Sequence, residues 1–443
     1  MKRIISLIIV CMIIISGMFI YNMSDKKDVL EDGSGPIIAA VIDGKASTSF
    51  PTTNKYVATV ECTRNGVKQD VGAKAIWDGT KWVVSFDDIS AGNVRCNATF
   101  ETKKPAPNGW YEAGNGTLLA SLRDSNTLKT PKTTPGAAVS TASEALLASA
   151  EDDNGTSYYF RGAVTNNYVE FANKCWRIVR VGGDGSVKLI LHNDNTAGVA
   201  NPCDSVNNNT NAAFARYSGT TYKSAFNTDS YDNAYVGFKY GTVGASDYAR
   251  THANTNNSTI LTNLETWYTN NLKTYESVID NSVWCNDKTN VTDASYNPWE
   301  YSNVTGLGYG TNRTYYGATQ RLVSTSGSAG GTGPSLKCNG ELSKITSKVG
   351  LITADELAFA GYAFNISNTT TYLQENATDT LWWSLSPDYF VGNYADVWGV
   401  GGGNGYFNNY DVFNSIGVRP SISLKSTTNV TGNGTSEKPY IVN

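Results

Sequence analysis

Hydrophobic and polar positions along the chain fall into three regimes, and each predicts a different kind of structure. The first is an apolar run from Ile4 to Ile20, interrupted only by Ser6, Ser16 and Gly17 and preceded by Lys2 and Arg3. About 20 apolar residues span a bilayer, and two early cations hold the N-terminus on the cytoplasmic side. Residues 1–27 therefore predict a transmembrane helix that tethers an exported chain. A cleaved signal peptide is the alternative, although no A-x-A-like site follows the run. In the second regime, short segments alternate: Ile37–Val41, Tyr56–Cys62, Ala75–Trp77, Trp82–Phe86 and Val94–Phe100. Asp43-Gly44, Asn65-Gly66 and Asp78-Gly79 separate them, dipeptides that supply positive φ in tight hairpins. Residues 34–101 thus predict a small all-β spacer.

The third regime begins near residue 155. Tyr158–Gly162, Tyr168–Phe171, Trp176–Val181 and Ser186–Leu191 read as strands. Ser258–Leu272 carries Ile260, Leu261, Leu264, Trp267, Tyr268 and Leu272 at near-helical spacing and predicts an amphipathic helix. A second helix starts at Thr353, which with Glu356 fits the S/T-x-x-E capping box. Residues 195–256 and 286–335 are polar and aperiodic and predict long loops. Residues 102–154, rich in Lys, Pro, Thr, Ala and Ser, predict a linker with a short helix over Ser143–Ala150. The expected division is 1–27 anchor, 34–101 spacer, 102–154 linker and 155–443 head, the head a mixed α+β domain with long loops.

Composition narrows the function. Only 17% of the 443 residues are charged and the net charge is −4. A nucleic-acid partner is not expected, because that footprint needs clustered excess Lys and Arg. The 26 Tyr, 14 Phe and 10 Trp, set among many Asn, Ser, Thr and Gly, describe a neutral surface that binds by aromatic contact and hydrogen bonding. Of seven cysteines, Cys11 lies in the apolar run, which leaves six in the exported part. With no C-x-x-C and wide spacing they read as disulfides. The sequential pairing is Cys62–Cys96, Cys175–Cys203 and Cys285–Cys338, chosen for proximity among about 15 possibilities. A Cys62–Cys96 bridge with Trp77 or Trp82 packed on it suggests an immunoglobulin-like sandwich for the spacer; any small disulfide-pinned β domain is the alternative.

Catalytic chemistry finds little support. His192 and His252 are the only imidazoles, and neither sits in a motif. No nucleophile elbow, zinc-protease, P-loop or dinucleotide fingerprint appears, and no cofactor is expected. Asn193-Asp194-Asn195 and Asp229-Ser230-Tyr231-Asp232-Asn233 offer oxygen ligands for calcium. Neither matches the spaced EF-hand loop, so both read as solvated turns.

One frame carries a family resemblance. Trp382-Trp383-Ser384-Leu385-Ser386-Pro387, then a Tyr/Asn/Gly/Asp-rich stretch, then Gly417-Val418-Arg419-Pro420-Ser421-Ile422-Ser423-Leu424 resembles the C-type-lectin-fold variable proteins of diversity-generating retroelements and their bacterial surface homologues. These are distant relatives of the formylglycine-generating enzymes. Tyr158–Gly162, Cys175–Arg180, Val283–Asp287, Gly350–Glu356 and the ending Gly432–Thr435 with Pro439–Val442 look similar too. The likeness spans roughly 155–443. It implies a C-type-lectin-like head whose last strands present a diversified surface. In such systems, adenine mutagenesis scatters Asn-type codons to Tyr, Asp, Ser, Gly, Phe and Val without stops.

The interval 388–415 has that vocabulary. Its ligand-binding candidates are Asp388, Tyr389, Phe390, Asn393, Tyr394, Asp396, Asn404, Tyr406, Phe407, Asn408, Asn409, Tyr410, Asp411 and Asn414. Tyr offers contact area at low entropy cost, and Asn, Ser, Gly and Asp adaptable hydrogen bonds. Trp382, Trp383, Leu385, Val418, Ile422 and Leu424 would hold that surface still. The reading is a surface-displayed, membrane-anchored protein that recognises a protein or glycan and is not an enzyme. The alternatives are a structural envelope protein without diversification, and an enzyme on a formylglycine-generating-like fold with a pocket lined by His252 or a free thiol pair.

Overall fold

The computed structural model describes residues 37–53, 56–77, 81–86, 94–102, 110–111, 113–136, 144–300 and 305–443. Two compact units divide the chain, residues 1–104 and 105–443. The apolar run Ile4–Ile20 lies outside the described residues, and among these no helix is long and apolar enough to cross a membrane.

The first unit holds β1 (Ile37–Ile42), β2 (Lys45–Ser47), β3 (Tyr56–Arg64), β4 (Val67–Gln69), β5 (Lys74–Trp77), β6 (Trp82–Ser85) and β7 (Arg95–Thr102). One sheet runs β2-β1-β7-β3-β4, and β5 and β6 pair as a separate hairpin. Asp43-Gly44 and Asn65-Gly66 have φ of 47° and 76°, and 51° and 81°, the left-handed conformations that two-residue hairpin turns demand. Ala40, Ala98 and Phe100 from the sheet pack with Val84 and Trp82 from the hairpin.

An immunoglobulin-like sandwich does not describe this unit. Cys62 and Cys96 do form a disulfide, yet they are direct cross-strand partners on β3 and β7. The bridge therefore lies within one sheet, where an immunoglobulin bridge joins two. Trp82 rests on Phe100 with ring centres 5.3 Å apart, while the cysteines pack with Val71 and Val94. The strand beside β7 on its other edge, β1, runs parallel to it.

In the second unit the chain opens with α1 (Leu118–Ser125), β8 (Ala145–Asp152), β9 (Gly155–Gly162), β10 (Tyr168–Phe171), β11 (Lys174–Val181) and β12 (Val187–Asn193). Helices α2 (Tyr248–Thr251), α3 (Thr259–Asn271), α4 (Gly317–Leu322) and α5 (Ala354–Ala360) follow, then β13 (Trp382–Val391), β14 (Tyr394–Val400), β15 (Phe407–Asp411) and β16 (Ser421–Leu424). A larger sheet runs β16-β12-β11-β10 and continues through the parallel partner Tyr440–Val442, with β9 on β11 and β8 on β9. In a second sheet β13-β14-β15 form a meander, with β15 at its edge. Disulfides Cys175–Cys203 and Cys285–Cys338 close loops in this unit. Together with Cys62–Cys96 they match the sequential pairing and mark a chain that matures in an oxidising, extracytoplasmic compartment.

The class is mostly β, which corrects the expected mixed α+β head. Only five α-helices occur among the described residues, the longest being α3 at 13 residues. Ser143–Ala150 shows why the expectation failed. Its Ala- and Leu-rich text favours helix locally, but Ala145–Asp152 pairs along its whole length with β9. Leu146 and Ala148 then pack with Tyr159 and Phe359, and Leu147 enters the main core. The expected linker also carries α1, whose Leu118, Leu119 and Leu122 lie in the same core. Helix α3 and the Thr353–Glu356 capping box of α5 stand where periodicity and capping place them.

Each part of the Gly417–Pro420 frame has a physical reason. A Cβ on Gly417 would sit 2.6 Å from the Phe214 ring. Arg419 is fully buried; its Nε donates to Leu191 O at 2.9 Å and its guanidinium lies 5.0 Å from the Trp382 ring centre. The Pro420 carbonyl accepts from Leu191 N at 2.9 Å.

Arg161 is a second buried tie. It pairs with Glu144 at 2.9 Å and donates to Ala358 O and Phe359 O at the end of α5. Arg161→Met should destabilise the protein by about 3–5 kcal/mol, because Glu144 stays buried without its cation. Adding Glu144→Leu should restore most of the loss. Urea unfolding of both variants checks this.

Candidate functional site

The interval 388–415 folds as the β13–β15 meander and the turns that join it. Its flanking frame is fully enclosed: Trp382, Trp383, Leu385, Val418, Ile422 and Leu424 are all 0% exposed. Both faces of β13 are covered, so the strand acts as a rigid floor.

The fourteen candidate residues separate by side-chain direction. Asp388, Phe390, Asp396 and Phe407 are buried; Tyr389, Tyr406, Asn408, Asn409, Tyr410, Asp411 and Asn414 are half-buried; Asn393, Tyr394 and Asn404 are exposed. Phe390 and Phe407 therefore belong to the core. Tyr410 lies over Gly399 of the neighbouring strand, where a Cβ would come within 2.9 Å of the ring; the missing side chain makes room for the aromatic. Tyr406 Oη and Asn408 Nδ2 both donate to Asn365 Oδ1 at 2.8 Å. Asn365, at φ 58°, also donates its N–H to Phe407 O at 2.9 Å. That residue comes from a distant loop with no motif around it.

Aromatic rings join the meander to other loops. Tyr389 lies 5.4 Å from Trp299 and 6.3 Å from Tyr315, and Trp299 lies 5.8 Å from Phe364. Phe364 in turn meets Trp398 at 5.6 Å, and Trp398 meets Phe407 at 4.8 Å. Only their Tyr- and Trp-rich composition marked Trp299 and Tyr315 in the sequence. Phe413, 50% exposed, and Tyr231, 52% exposed, also escaped sequence reasoning, although Phe413 lies inside the interval.

Carboxylates line the inner side. Asp388 accepts from Thr319 Oγ1 at 2.5 Å and from Asn409 Nδ2. Asp396 and Asp411 are direct cross-strand partners. Burial pushes Asp388 up to about 8, against the Thr319 and Asn409 hydrogen bonds and with help from the Asp396 charge. Burial likewise raises Asp396 to about 7, opposed by a hydrogen bond from Tyr389 and reinforced by Asp411. Asp411 rises to about 6, burial again leading. One oxygen each of Asp396 and Asp411 is buried without a hydrogen-bond partner.

Other sequence candidates lie inside the protein. His192 and His252 are both 0% exposed, and burial holds each well below the usual imidazole range. The carboxylates of Asp194 and Asp232, in the Asn193–Asn195 and Asp229–Asn233 runs, serve the fold. Asp194 pairs with Lys174 at 2.9 Å, and Asp232 accepts from Ala234 N at 2.8 Å and Gly244 N at 3.0 Å. Among the described residues no group of three or more His, Cys, Asp or Glu is placed to hold a metal. A cavity of about 160 Å³ is lined by Arg180, Lys188, Arg321, Asp355, Glu356 and the Cys285–Cys338 disulfide. Its charges pair internally: Glu356 with Arg180 at 2.8 Å and Lys188 at 2.6 Å, Asp355 with Arg321 at 2.6 Å.

No protein-family model, curated protein or solved structure matches this chain, so its own chemistry must carry the functional reading.

The carboxylate row sets a pH dependence. Folded-state values of about 6 to 8 exceed the unfolded value of about 3.9. The folded protein then binds more protons than the unfolded chain, so stability from these groups is full below about pH 4 and is lost as pH rises through the folded values. Asp396→Asn keeps the neutral shape, and its melting temperature should fall less than that of the parent between pH 4 and pH 7. Calorimetry of both proteins across that range tests the sign.

Proposed function

We propose that this is an extracytoplasmic recognition protein that binds a protein or glycan through the β13–β15 meander and its flanking loops. The observation that carries the reading is the pairing of a fully buried Trp/Leu/Val/Ile frame with an outward run of Tyr and Asn. A rigid floor lowers the ordering cost of binding, while tyrosine and asparagine supply contact area and adaptable hydrogen bonds. The mechanism is non-covalent: rings and amides at Tyr389, Asn393, Tyr394, Tyr406, Asn408 and Tyr410 meet the partner. The disulfides support display outside the cytoplasm. The resemblance to retroelement variable proteins adds that this outward set is diversified at the DNA level.

Binding of the full chain to arrays of defined glycans and purified surface proteins tests recognition. A true partner should lose about tenfold or more in affinity with Tyr394→Ala plus Tyr410→Ala, the scale of interface anchors, with the variant still folded by circular dichroism. Partners that bind those variants as well as the parent would refute the surface assignment.

Deep sequencing of codons 380–425 across the source population tests diversification. Substitutions should concentrate at the half-buried and exposed positions, and spare the buried Phe390 and Phe407. Uniform sequence with no neighbouring template repeat or reverse transcriptase would leave a fixed surface.

A further inference from the structure

At one end of the meander three backbone segments meet. Val412 N donates to Ala395 O at 3.0 Å, Phe226 N and Asn227 N donate to Val412 O at 2.8 and 3.1 Å, and Ser230 Oγ donates to Asn393 O at 2.9 Å. Beside these junctions stand Tyr394, Phe413 and Tyr231, exposed by 56%, 50% and 52%. Three open rings on adjoining segments offer apolar area for a partner to cover. Asp229 is exposed on the same loop as Tyr231, and Asp411 is half-buried two residues before Phe413.

Charge is distributed unusually around this end. Asp229 and Asp411 at this end are in no ion pair among the described residues, and segments 224–238 and 361–418 hold no lysine or arginine, although the chain carries 35; Glu375 and Asp379 of the second segment are paired with Arg177 and Lys223. The flanking cations are Lys223, opposite Gly417 in strand register and 3.8 Å from Asp379, and Arg313, beside the Thr314–Tyr315 pairing with Phe390 and Tyr389 and engaged within the chain. Edge strand β15 adds a third element. Among the described residues its outer side is met at Phe407, by the isolated bridge from Phe364, and at Asn408, whose amide donates to Asn365 Oδ1; an extended chain can lie along the remainder.

We propose that this face takes a basic polypeptide segment, with its arginine and lysine side chains received on Tyr231, Tyr394 and Phe413 and by Asp229 and Asp411. The inference rests on the recognition reading above and names its partner class. Cations stack favourably on Tyr and Phe faces, and a surface whose flanking cations are already engaged does not compete for them. A like-charged partner would be repelled, and a neutral glycan would make no use of the carboxylates.

The test uses the full chain and a dye-labelled peptide of alternating arginine and glycine. Its controls are the same peptide with citrulline for arginine, an acidic counterpart and a neutral chito-oligosaccharide, all read by fluorescence anisotropy or competition. Expected results are binding of the arginine peptide, about tenfold weaker binding of the citrulline form, and weakening by salt. Tyr394→Ala, Phe413→Ala and Asp229→Asn should each weaken it several-fold, while Tyr111→Ala, which removes another exposed ring, should not. Equal binding of the citrulline peptide, or binding indifferent to the three face variants, overturns the proposal. If instead the oligosaccharide or the acidic peptide binds in a Tyr394-dependent way, the recognition surface stands and the basic-partner inference falls. If no probe binds and array partners also ignore Tyr394 and Tyr410, both fall.

Discussion

Much of the larger unit is irregular chain folded into the interior, and every backbone N–H and C=O taken there needs a partner. Asparagine side chains meet that demand. Asn233 donates to Gly310 O and Asn312 O at 2.9 and 2.8 Å, and Asn227 to Tyr235 O at 2.6 Å. Asn286 accepts from Phe238 N and donates to Leu385 O, both at 2.8 Å, which ties a loop directly to β13. An amide carries donors and an acceptor on one short stem, so it mimics the missing strand partner. Lys288 does the same with a charge: its Nζ donates to Lys239 O, His252 O and Asn254 Oδ1 at 2.8–3.0 Å, and burial lowers it to about 7. The abundance of asparagine is therefore first a requirement of the fold.

Those ties converge on β13. Trp383 Nε1 donates to Ser224 O at 2.9 Å, Leu385 N to Ile352 O at 2.9 Å, and Ala354 N to Ser386 Oγ at 3.0 Å. Thr319 of α4 holds Asp388. A strand restrained from so many directions cannot shift register, and β14 and β15 inherit its position through their pairing. Recognition sites gain precision from such supports.

Within that rigid setting the three carboxylates stand out. Asp388, Asp396 and Asp411 run from the interior toward the surface with no cation beside them in their hydrogen bonding. Elsewhere most buried acids pair with a cation, as in Glu144 with Arg161 and Glu356 with Arg180 and Lys188, Asp232 being held by backbone N–H groups instead. Local rules of stability tend to be broken where function competes with them, and here the departure coincides with the outward aromatic set.

By itself the sequence determined the features that are local. Hairpin turns at Asp43-Gly44 and Asn65-Gly66 follow from dipeptide chemistry, α3 from periodicity, and the α5 start from its capping box. Six cysteines in short sequential order were enough for the disulfide pairing. The Trp382–Leu424 frame was legible as core because large apolar residues have nowhere else to go. Tertiary structure decided everything that depends on a partner far along the chain. Ala145–Asp152 became a strand because β9 was there to pair with it. The Cys62–Cys96 bridge fell within one sheet because β3 and β7 are neighbours. Inside 388–415, composition named the residues but not their directions: Asp388 and Phe407 turned inward, while Asn365, Trp299 and Tyr231 joined the surface from loops that carry no motif. Turn, cap and period are encoded by a few adjacent residues, whereas the face a side chain takes is set by whichever distant strand or ring packs against it.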